Sequence, residues 1–190
     1  MSLGGRAARL ATLATMMACA SSAPPRVAIS ERLQGTDGAS HAIVPALPDV
    51  YTVLIFFSSE CHVLAAHDER VRALAAAFVP RQVRFLGVDA EVGATLERDR
   101  AEAERRRYPF PILLDRQGGL AHAFGATFAG YVVVIDRQGA VRFQGGIDSD
   151  RVRLREEATP YLRDALADLL AGKPPRVAES KALGCALRLR

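Results

Sequence analysis

Short apolar runs alternate with amphipathic segments along the chain, and this alternation predicts the secondary structure. The runs at 52–57 (TVLIFF), 83–88 (VRFLGV) and 111–114 (PILL) are rich in β-branched or aromatic residues, as in strands buried on both faces. Two further runs, at 132–135 and 140–144, are joined by the turn DRQG and predict a β-hairpin. Five strands are therefore predicted.

Helical periodicity fills the intervals between these strands. Apolar residues recur at helical spacing over 60–78, and the stretch 94–107, rich in alanine, glutamate and arginine, predicts a solvent-exposed helix. Within that stretch we interpret the arginine run 105–107 as part of the wet face rather than as a phosphate site. A short helix at 119–124 and a last helix at 160–171 complete the set.

The resulting order, β-α-β-α-β-α-β-β-α, limits the topology. Strands separated by helices pair in parallel through right-handed crossovers, and the final hairpin must be antiparallel. The pattern predicts an α/β fold in which a central mixed β-sheet is flanked by helices on both faces. No GxGxxG, P-loop or GxSxG motif lies at a strand-to-helix turn, so nucleotide binding and serine-hydrolase chemistry lack their usual sequence anchor.

The N-terminus has the features of an export signal. Two arginines precede an uncharged, largely apolar stretch that is too short to span a bilayer and ends in small residues. Ala18-Cys19-Ala20 fits the general signal peptidase, whereas Met16 to Cys19 resembles a bacterial lipobox, in which Cys19 is lipidated. An unprocessed N-terminus is the third interpretation. We expect residues 1–19 to be a signal peptide, and the protein to be exported to the cell envelope or periplasm, with possible membrane attachment through lipid on Cys19.

The remaining composition fits one globular domain with appendages. The chain has 190 residues, of which 49% are hydrophobic, enough to bury a core without disulfides. We expect a tether and N-terminal extension at 20–43, the domain at 44–173 and a loosely structured tail at 174–190. The net charge of +4 falls to +2 without Arg6 and Arg9 of the signal, which does not indicate a nucleic-acid partner.

Of the three cysteines, Cys61 occupies the position best suited to chemistry. It follows a buried strand and falls in the first turn of a helix, where unsatisfied N–H groups and the helix dipole lower the pKa of a thiol. Glu60 should raise that pKa and a protonated His62 should lower it. Ser58 offers a hydroxyl to the thiolate or to a bound peroxide. The alternative role is that Ser58 or Ser59 caps the helix. The alternative for Cys61 is a buried structural cysteine.

Metal chemistry has weaker support in the sequence. The cysteines form no CxxC pair, so a zinc cluster is excluded. His67 falls on the apolar stripe of its helix and is interpreted as a core histidine, although Cys61, His62 and His67 together would suit copper or zinc. We predict no metal and no cofactor.

Five segments resemble the redoxin branch of the thioredoxin-like superfamily, the AhpC/TSA-type proteins related to peroxiredoxins and to thiol-disulfide oxidoreductases. They are FFSSECHVLAAHDERVRAL, VRFLGVDA, YPFPILLDRQGGLAHAFGA, YVVVIDRQGAVRFQGGID and TPYLRDALADLLAGKPPRVAESKALGC, and the resemblance extends from about Val44 to Cys185. It implies a thioredoxin-like fold and a thiol-based oxidoreductase or antioxidant, with protein disulfides or small peroxides as substrates and a thiol as reductant. Cys61 matches the attacking cysteine.

The chain departs from the family patterns at several positions. A thioredoxin-type enzyme would have its resolving cysteine where Leu64 stands, and a peroxiredoxin would have a proline where Leu54 stands. The cis-proline and the arginine of those families fall near Gly130 and are absent. Cys185 is the intramolecular candidate for resolving Cys61, while a static disulfide or a free thiol stays open. A binding or scaffold module without catalysis is the alternative function, and a metallochaperone is a third.

Overall fold

The computed structural model describes Met1 and residues 32–190. The predicted signal peptide, with Cys19, and the first part of the tether lie outside the described residues. None of the helices within 32–190 combines the length and apolar character that crossing a membrane requires.

The central sheet has the predicted mixed topology. The strands are β1 (Arg32–Gln34), β2 (Ser40–Ala42), β3 (Tyr51–Phe57), β4 (Val83–Asp89), β5 (Ile112–Leu114), β6 (Tyr131–Asp136) and β7 (Val141–Gly146). Five of them form one sheet in the order β5-β4-β3-β6-β7. β3, β4 and β5 are parallel, and β6 is antiparallel to β3 and to β7. The predicted five-stranded sheet is confirmed, and it belongs to an α/β thioredoxin-like fold.

The strands β1 and β2 form a separate antiparallel hairpin, which the sequence pattern did not reveal. It lies within 20–43, the segment expected to be a tether and extension. Thr36 lies in the turn of this hairpin and makes two hydrogen bonds with Ile112 of β5. The Thr36 N–H donates to the Ile112 carbonyl at 2.9 Å, and the Ile112 N–H donates to the Thr36 hydroxyl at 3.1 Å. This part of the extension therefore packs on the edge of the central sheet.

Helices cover the sheet, and the first predicted helix is divided in two. They are α1 (His62–Ala66), α2 (Asp68–Phe78), α3 (Leu96–Arg105), α4 (Gly119–Phe124) and α5 (Tyr161–Leu170), with a 3₁₀ turn at Val79–Arg81. The predicted continuous helix over 60–78 is wrong because it breaks at His67. The imidazole Nδ1 donates to the Val63 carbonyl at 2.9 Å, and the His67 N–H donates to Leu64 instead. The side chain has replaced the backbone donor that would continue the helix.

The C-terminal segment 174–190 packs against the domain, so the expected loose tail is wrong. Glu179 bridges to Gln144 on the exposed edge of β7, and Ala186 bridges in antiparallel fashion to Phe128. Both bridges use backbone groups of the domain that are not paired within the central sheet. The tail therefore has hydrogen-bond partners that could not be predicted from its own sequence.

Candidate active site

Cys61 lies between β3 and α1, and it is itself the N-cap of α1. Its Sγ accepts the Leu64 N–H at 3.3 Å, and its own N–H donates to the Ser58 carbonyl at 3.3 Å. The cap is therefore the thiol, and the alternative in which Ser58 or Ser59 caps this helix is wrong. The bond from Leu64 fixes the direction of the Cys61 side chain, and the bond to Ser58 fixes the Cys61 backbone.

The Cys61 thiol is buried, with 1% of its surface exposed. Burial is the main reason that the pKa of this thiol is raised, and the adjacent Cys185 thiol adds to the rise. The N–H groups of Leu64 and Cys185 act in the opposite direction because they stabilise the thiolate. The expected lowering of the Cys61 pKa is wrong in this arrangement. Desolvation of the thiolate outweighs the stabilisation that the dipole of a five-residue helix provides.

Cys185 approaches Cys61 from the tail, 124 residues later in the sequence. Its N–H donates to the Cys61 Sγ at 3.4 Å, and its carbonyl accepts the Ala129 N–H at 2.9 Å. Its Sγ lies 3.9 Å from the Nδ1 of His62. Both cysteines are free thiols. The structure thus brings Cys61, His62 and Cys185 into one site, with His62 beside the second thiol rather than the first.

Gly130 and Leu64 form an apolar wall opposite Cys185. Gly130 adopts a φ of 83°, a conformation that favours glycine, and its N–H donates to the Phe56 carbonyl at 2.7 Å. A Cβ at Gly130 would meet Leu64 Cδ1 at 3.8 Å. Two of the positions at which the chain departs from the family patterns, Leu64 and Gly130, therefore lie next to each other, and neither supplies a reactive group. The second thiol of the site comes from Cys185.

Glu60 and Ser58 take different roles from those expected. The Glu60 carboxylate is exposed and lies 3.4 Å from the Arg188 guanidinium, so its charge is directed to the tail. Ser58 is buried, and its carbonyl accepts the Cys61 N–H. Across residues 32–190, the hydrogen bonds to the Cys61 Sγ come from the backbone of Leu64 and Cys185, and the Ser58 hydroxyl supplies none of them.

Arg106 is a residue of the site that the sequence interpretation misplaced. We assigned it to a wet face, yet it is only 3% exposed. Its Nη2 donates to the Ser59 carbonyl at 3.0 Å and to the Ser58 carbonyl at 3.4 Å, beneath the loop that leads to Cys61. The other two members of the run, Arg105 and Arg107, are exposed. Asp99, Ala103 and Arg106 form the inner face of α3 at i, i+4 and i+7, but two of the three are charged, so no apolar periodicity marks this face in the sequence.

Two carboxylates and an aromatic ring hold the Arg106 guanidinium in place. Its Nε donates to Glu102 at 2.7 Å, and its Nη1 lies 3.4 Å from Asp68. The guanidinium carbon lies 5.1 Å from the centre of the Phe57 ring. Hydrogen bonds from Arg105 and Arg106 lower the pKa of Glu102 to about 2. Arg106 therefore links α2, α3 and the end of β3 under the Cys61 loop.

His67 is confirmed as a core histidine. Its ring is buried between the Val63 carbonyl and the Asp148 carboxylate, which lies 3.2 Å from Nε2. Burial opposes protonation, but the hydrogen bonds with Asp148 and Val63 outweigh it and raise the His67 pKa. Among residues 32–190, no group of three or more His, Cys, Asp or Glu side chains is arranged to hold a metal ion.

A buried acidic cluster follows β4 on the side where the tail passes. Asp89 and Asp99 are fully buried, and burial together with the Asp89 charge raises the pKa of Asp99 to about 8. The protonated form of the Asp99 carboxyl is therefore favoured by its burial and by the neighbouring Asp89. The neighbouring Glu91 accepts the Arg188 N–H at 3.2 Å, which ties the end of the tail to this cluster.

Comparisons with known proteins agree with this fold. The model of the AhpC/TSA family matches residues 28–144. A search of curated proteins finds no match. Among solved structures, a hypothetical protein from Sinorhizobium meliloti is 22% identical, with a TM-score of 0.79 over 88% of this chain and 94% of that chain.

Two further structures are similar at lower identity. A thioredoxin-like protein from Aeropyrum pernix is 16% identical, with a TM-score of 0.53 over 65% of this chain and 84% of that chain. The peroxidoxin BcpB from Mycobacterium tuberculosis is 21% identical, with a TM-score of 0.54 over 79% of this chain and 95% of that chain. At these identities the likeness concerns the fold.

Proposed function

Since the chain belongs to the AhpC/TSA family of redoxin-type thiol oxidoreductases, we propose that it reduces peroxides or disulfides through Cys61, with Cys185 as the resolving thiol. The observation that carries this proposal is the approach of Cys185 to Cys61: the Cys185 N–H donates to the Cys61 Sγ at 3.4 Å. A second thiol in this position replaces the one that would stand at Leu64.

With a peroxide, the Cys61 thiolate attacks one oxygen of the O–O bond. That bond breaks, the alkoxide or hydroxide leaves and takes up a proton, and Cys61 becomes a sulfenic acid. The Cys185 thiolate then attacks the Cys61 sulfur, the S–O bond breaks, and water leaves with the proton that Cys185 gave up. An external dithiol reduces the Cys61–Cys185 disulfide by exchange and is itself oxidised.

With a disulfide substrate, the same two thiols act in the same order. Cys61 attacks one sulfur and the substrate S–S bond breaks. The first substrate thiolate leaves, and Cys61 is left in a mixed disulfide with the other half of the substrate. Cys185 then attacks Cys61 and releases the second thiolate. The N–H groups of Leu64 and Cys185 stabilise the Cys61 thiolate, and His62, which lies 3.9 Å from Cys185, accepts the proton of the resolving thiol.

Oxidation of the reduced full-length chain tests this proposal. One equivalent of hydrogen peroxide is expected to produce a Cys61–Cys185 disulfide, detected by intact mass and peptide mapping. In Cys185→Ser the same treatment should stop at a Cys61 sulfenic acid, which a dimedone-type reagent traps. A stable sulfenic acid in the wild type would show that Cys185 does not resolve Cys61. If neither thiol is oxidised, the scaffold alternative is favoured.

We also propose that the protein is exported and anchored through lipid on Cys19. The support is the sequence of the first 20 residues, in which a lipobox-like segment follows a short apolar run. Cys19→Ala removes the lipid acceptor but leaves small residues for the general signal peptidase. In a bacterial host, the wild type is expected in the membrane fraction and the variant in the soluble envelope fraction. An intact N-terminus on a cytoplasmic wild-type chain would refute export.

A further inference from the structure

The last residues of the chain form a strap across Cys61, which we define as residues 184–188. It runs antiparallel to the segment before β6: the Ala129 N–H donates to the Cys185 carbonyl at 2.9 Å, and the Leu187 N–H donates to the Thr127 carbonyl at 2.9 Å. Such paired bonds resemble one more strand added to an edge, so the strap has a defined register rather than a loose contact.

Charged contacts fix the far end of the strap. The Arg188 guanidinium lies 3.4 Å from Glu60 and 3.5 Å from Glu91, and the Arg188 carbonyl accepts the Val92 N–H at 2.8 Å. Leu187 inserts its side chain into the core, with 9% of its surface exposed. The near end follows Glu179, which bridges to β7. The strap is therefore held on both sides of Cys185.

The strap controls access to the reactive sulfur. Cys61 is buried although it lies at the end of a strand, and the residue that donates to its Sγ from outside the helix is Cys185 of the strap. The nearby cavity, between Leu64, Gly130 and Leu183, has a volume of about 10 Å³, room for one water molecule. A disulfide carried on a polypeptide is too large for this space, and the strap already occupies the backbone groups of Thr127 and Ala129 beside Cys61.

We propose that the strap selects the substrates of Cys61 by size, so that the resting enzyme takes small peroxides and excludes protein disulfides until the strap is displaced. This proposal rests on the function proposed above and names its substrate class. A small peroxide needs only one oxygen to reach the sulfur, which a brief local opening permits. A protein substrate reaches the sulfur only when the whole strap has separated from the segment before β6.

Gly184 offers a way to displace the strap without changing either thiol. A Cβ at this position would collide with the carbonyl oxygen of Ala129 and lie 3.0 Å from its carbonyl carbon. Because both atoms are backbone, no side-chain rotation relieves the clash, and Gly184→Ala should lift the strap. Ala186→Ser is the matched control, since Ala186 is an exposed member of the same strap. Arg188→Ala weakens the strap by removing its ties to Glu60 and Glu91.

The test compares a large and a small reagent on the reduced full-length variants. A polymer-linked maleimide is expected to label Cys61, located by peptide mapping, at least about tenfold faster in Gly184→Ala than in wild type or Ala186→Ser, as expected when a closed segment becomes mostly open. Arg188→Ala should show a smaller rise, and it keeps the test valid if Gly184→Ala does not fold. Hydrogen peroxide should oxidise Cys61 in all of them.

The outcomes separate the two proposals. Equal maleimide labelling of Cys61 in wild type, Gly184→Ala and Arg188→Ala would overturn the strap proposal, while oxidation by peroxide would still support the thiol oxidoreductase. If peroxide oxidised Cys61 neither in the wild type nor in any of the variants, the proposed function would be overturned. The labelling ratio would then still decide whether the strap shields Cys61, because labelling does not depend on turnover.

Discussion

Cys61→Ser is expected to lower turnover with peroxides and disulfides on the order of a thousandfold or more, the scale on which loss of a covalent nucleophile acts. A serine hydroxyl at this position has no thiolate to offer and cannot form a sulfenic acid or a disulfide. The fold should remain intact. Cys61 is the N-cap of α1, and serine is among the preferred N-cap residues, so the Leu64 N–H keeps an acceptor.

Peroxide-dependent oxidation of an external dithiol measures this loss, with thermal unfolding of the same samples as the control for folding. Cys185→Ser is the informative companion, because it should still consume one equivalent of peroxide in a first, stoichiometric step and then stall. Substantial turnover in Cys61→Ser would identify Cys185 as an independent nucleophile and would reverse the roles that we assign to the two thiols.

The local pattern of the sequence was sufficient to predict the central sheet. β3, β4 and the hairpin of β6 and β7 are continuous apolar runs bounded by turns, and their order determines the parallel and antiparallel pairs. The break at His67 was not predictable from periodicity, since Leu64, Val71 and Leu74 keep a helical spacing across it. A single side-chain hydrogen bond to the Val63 carbonyl decides that break.

The site was predictable only where it depends on neighbours in the chain. The position of Cys61 after a buried strand could be inferred from the sequence, but its pKa direction could not, because the burial that raises it comes from residues far away. Cys185 was a candidate by elimination. Its position beside Cys61, however, depends on its backbone hydrogen bond with Ala129, and such long-range pairing produces no periodic pattern in the sequence. Arg106 was missed because a charged run usually lies in solvent.

The approach of Cys185 changes the meaning of the departures at Leu64 and Gly130. A site that lacks a second thiol at the Leu64 position has no local route to a disulfide, which favoured a scaffold in the sequence interpretation. In the structure Leu64 instead packs against Gly130 and supplies a backbone N–H to Cys61, while the tail carries the second thiol. In the mechanism that we propose, one segment therefore both supplies the second thiol and covers Cys61.

Arg106→Met is expected to lower the free energy of unfolding by about 3–5 kcal/mol, the cost of breaking a buried ionic network by removing one partner. Methionine fills most of the same volume, but the half-buried Ser59 carbonyl loses its Arg106 donor, and the Ser58 carbonyl keeps only the Cys61 N–H. The carboxylate of Glu102 keeps Arg105, so the penalty falls mainly on the loop that precedes Cys61. Urea unfolding at neutral pH measures the change.

Arg105→Met is the matched control, because Arg105 bonds the same Glu102 but is exposed, and its loss should leave the free energy of unfolding nearly unchanged. A role in positioning Cys61 also predicts a kinetic effect that stability alone would not produce. Under conditions where Arg106→Met is fully folded, Cys61 should react with peroxide more slowly, and Arg106→Lys should restore only part of the rate, since an ammonium lacks the planar fork that reaches two carbonyls. If Arg106→Met and Arg105→Met unfold alike and Cys61 reacts at the wild-type rate in both, Arg106 neither stabilises nor positions the Cys61 loop.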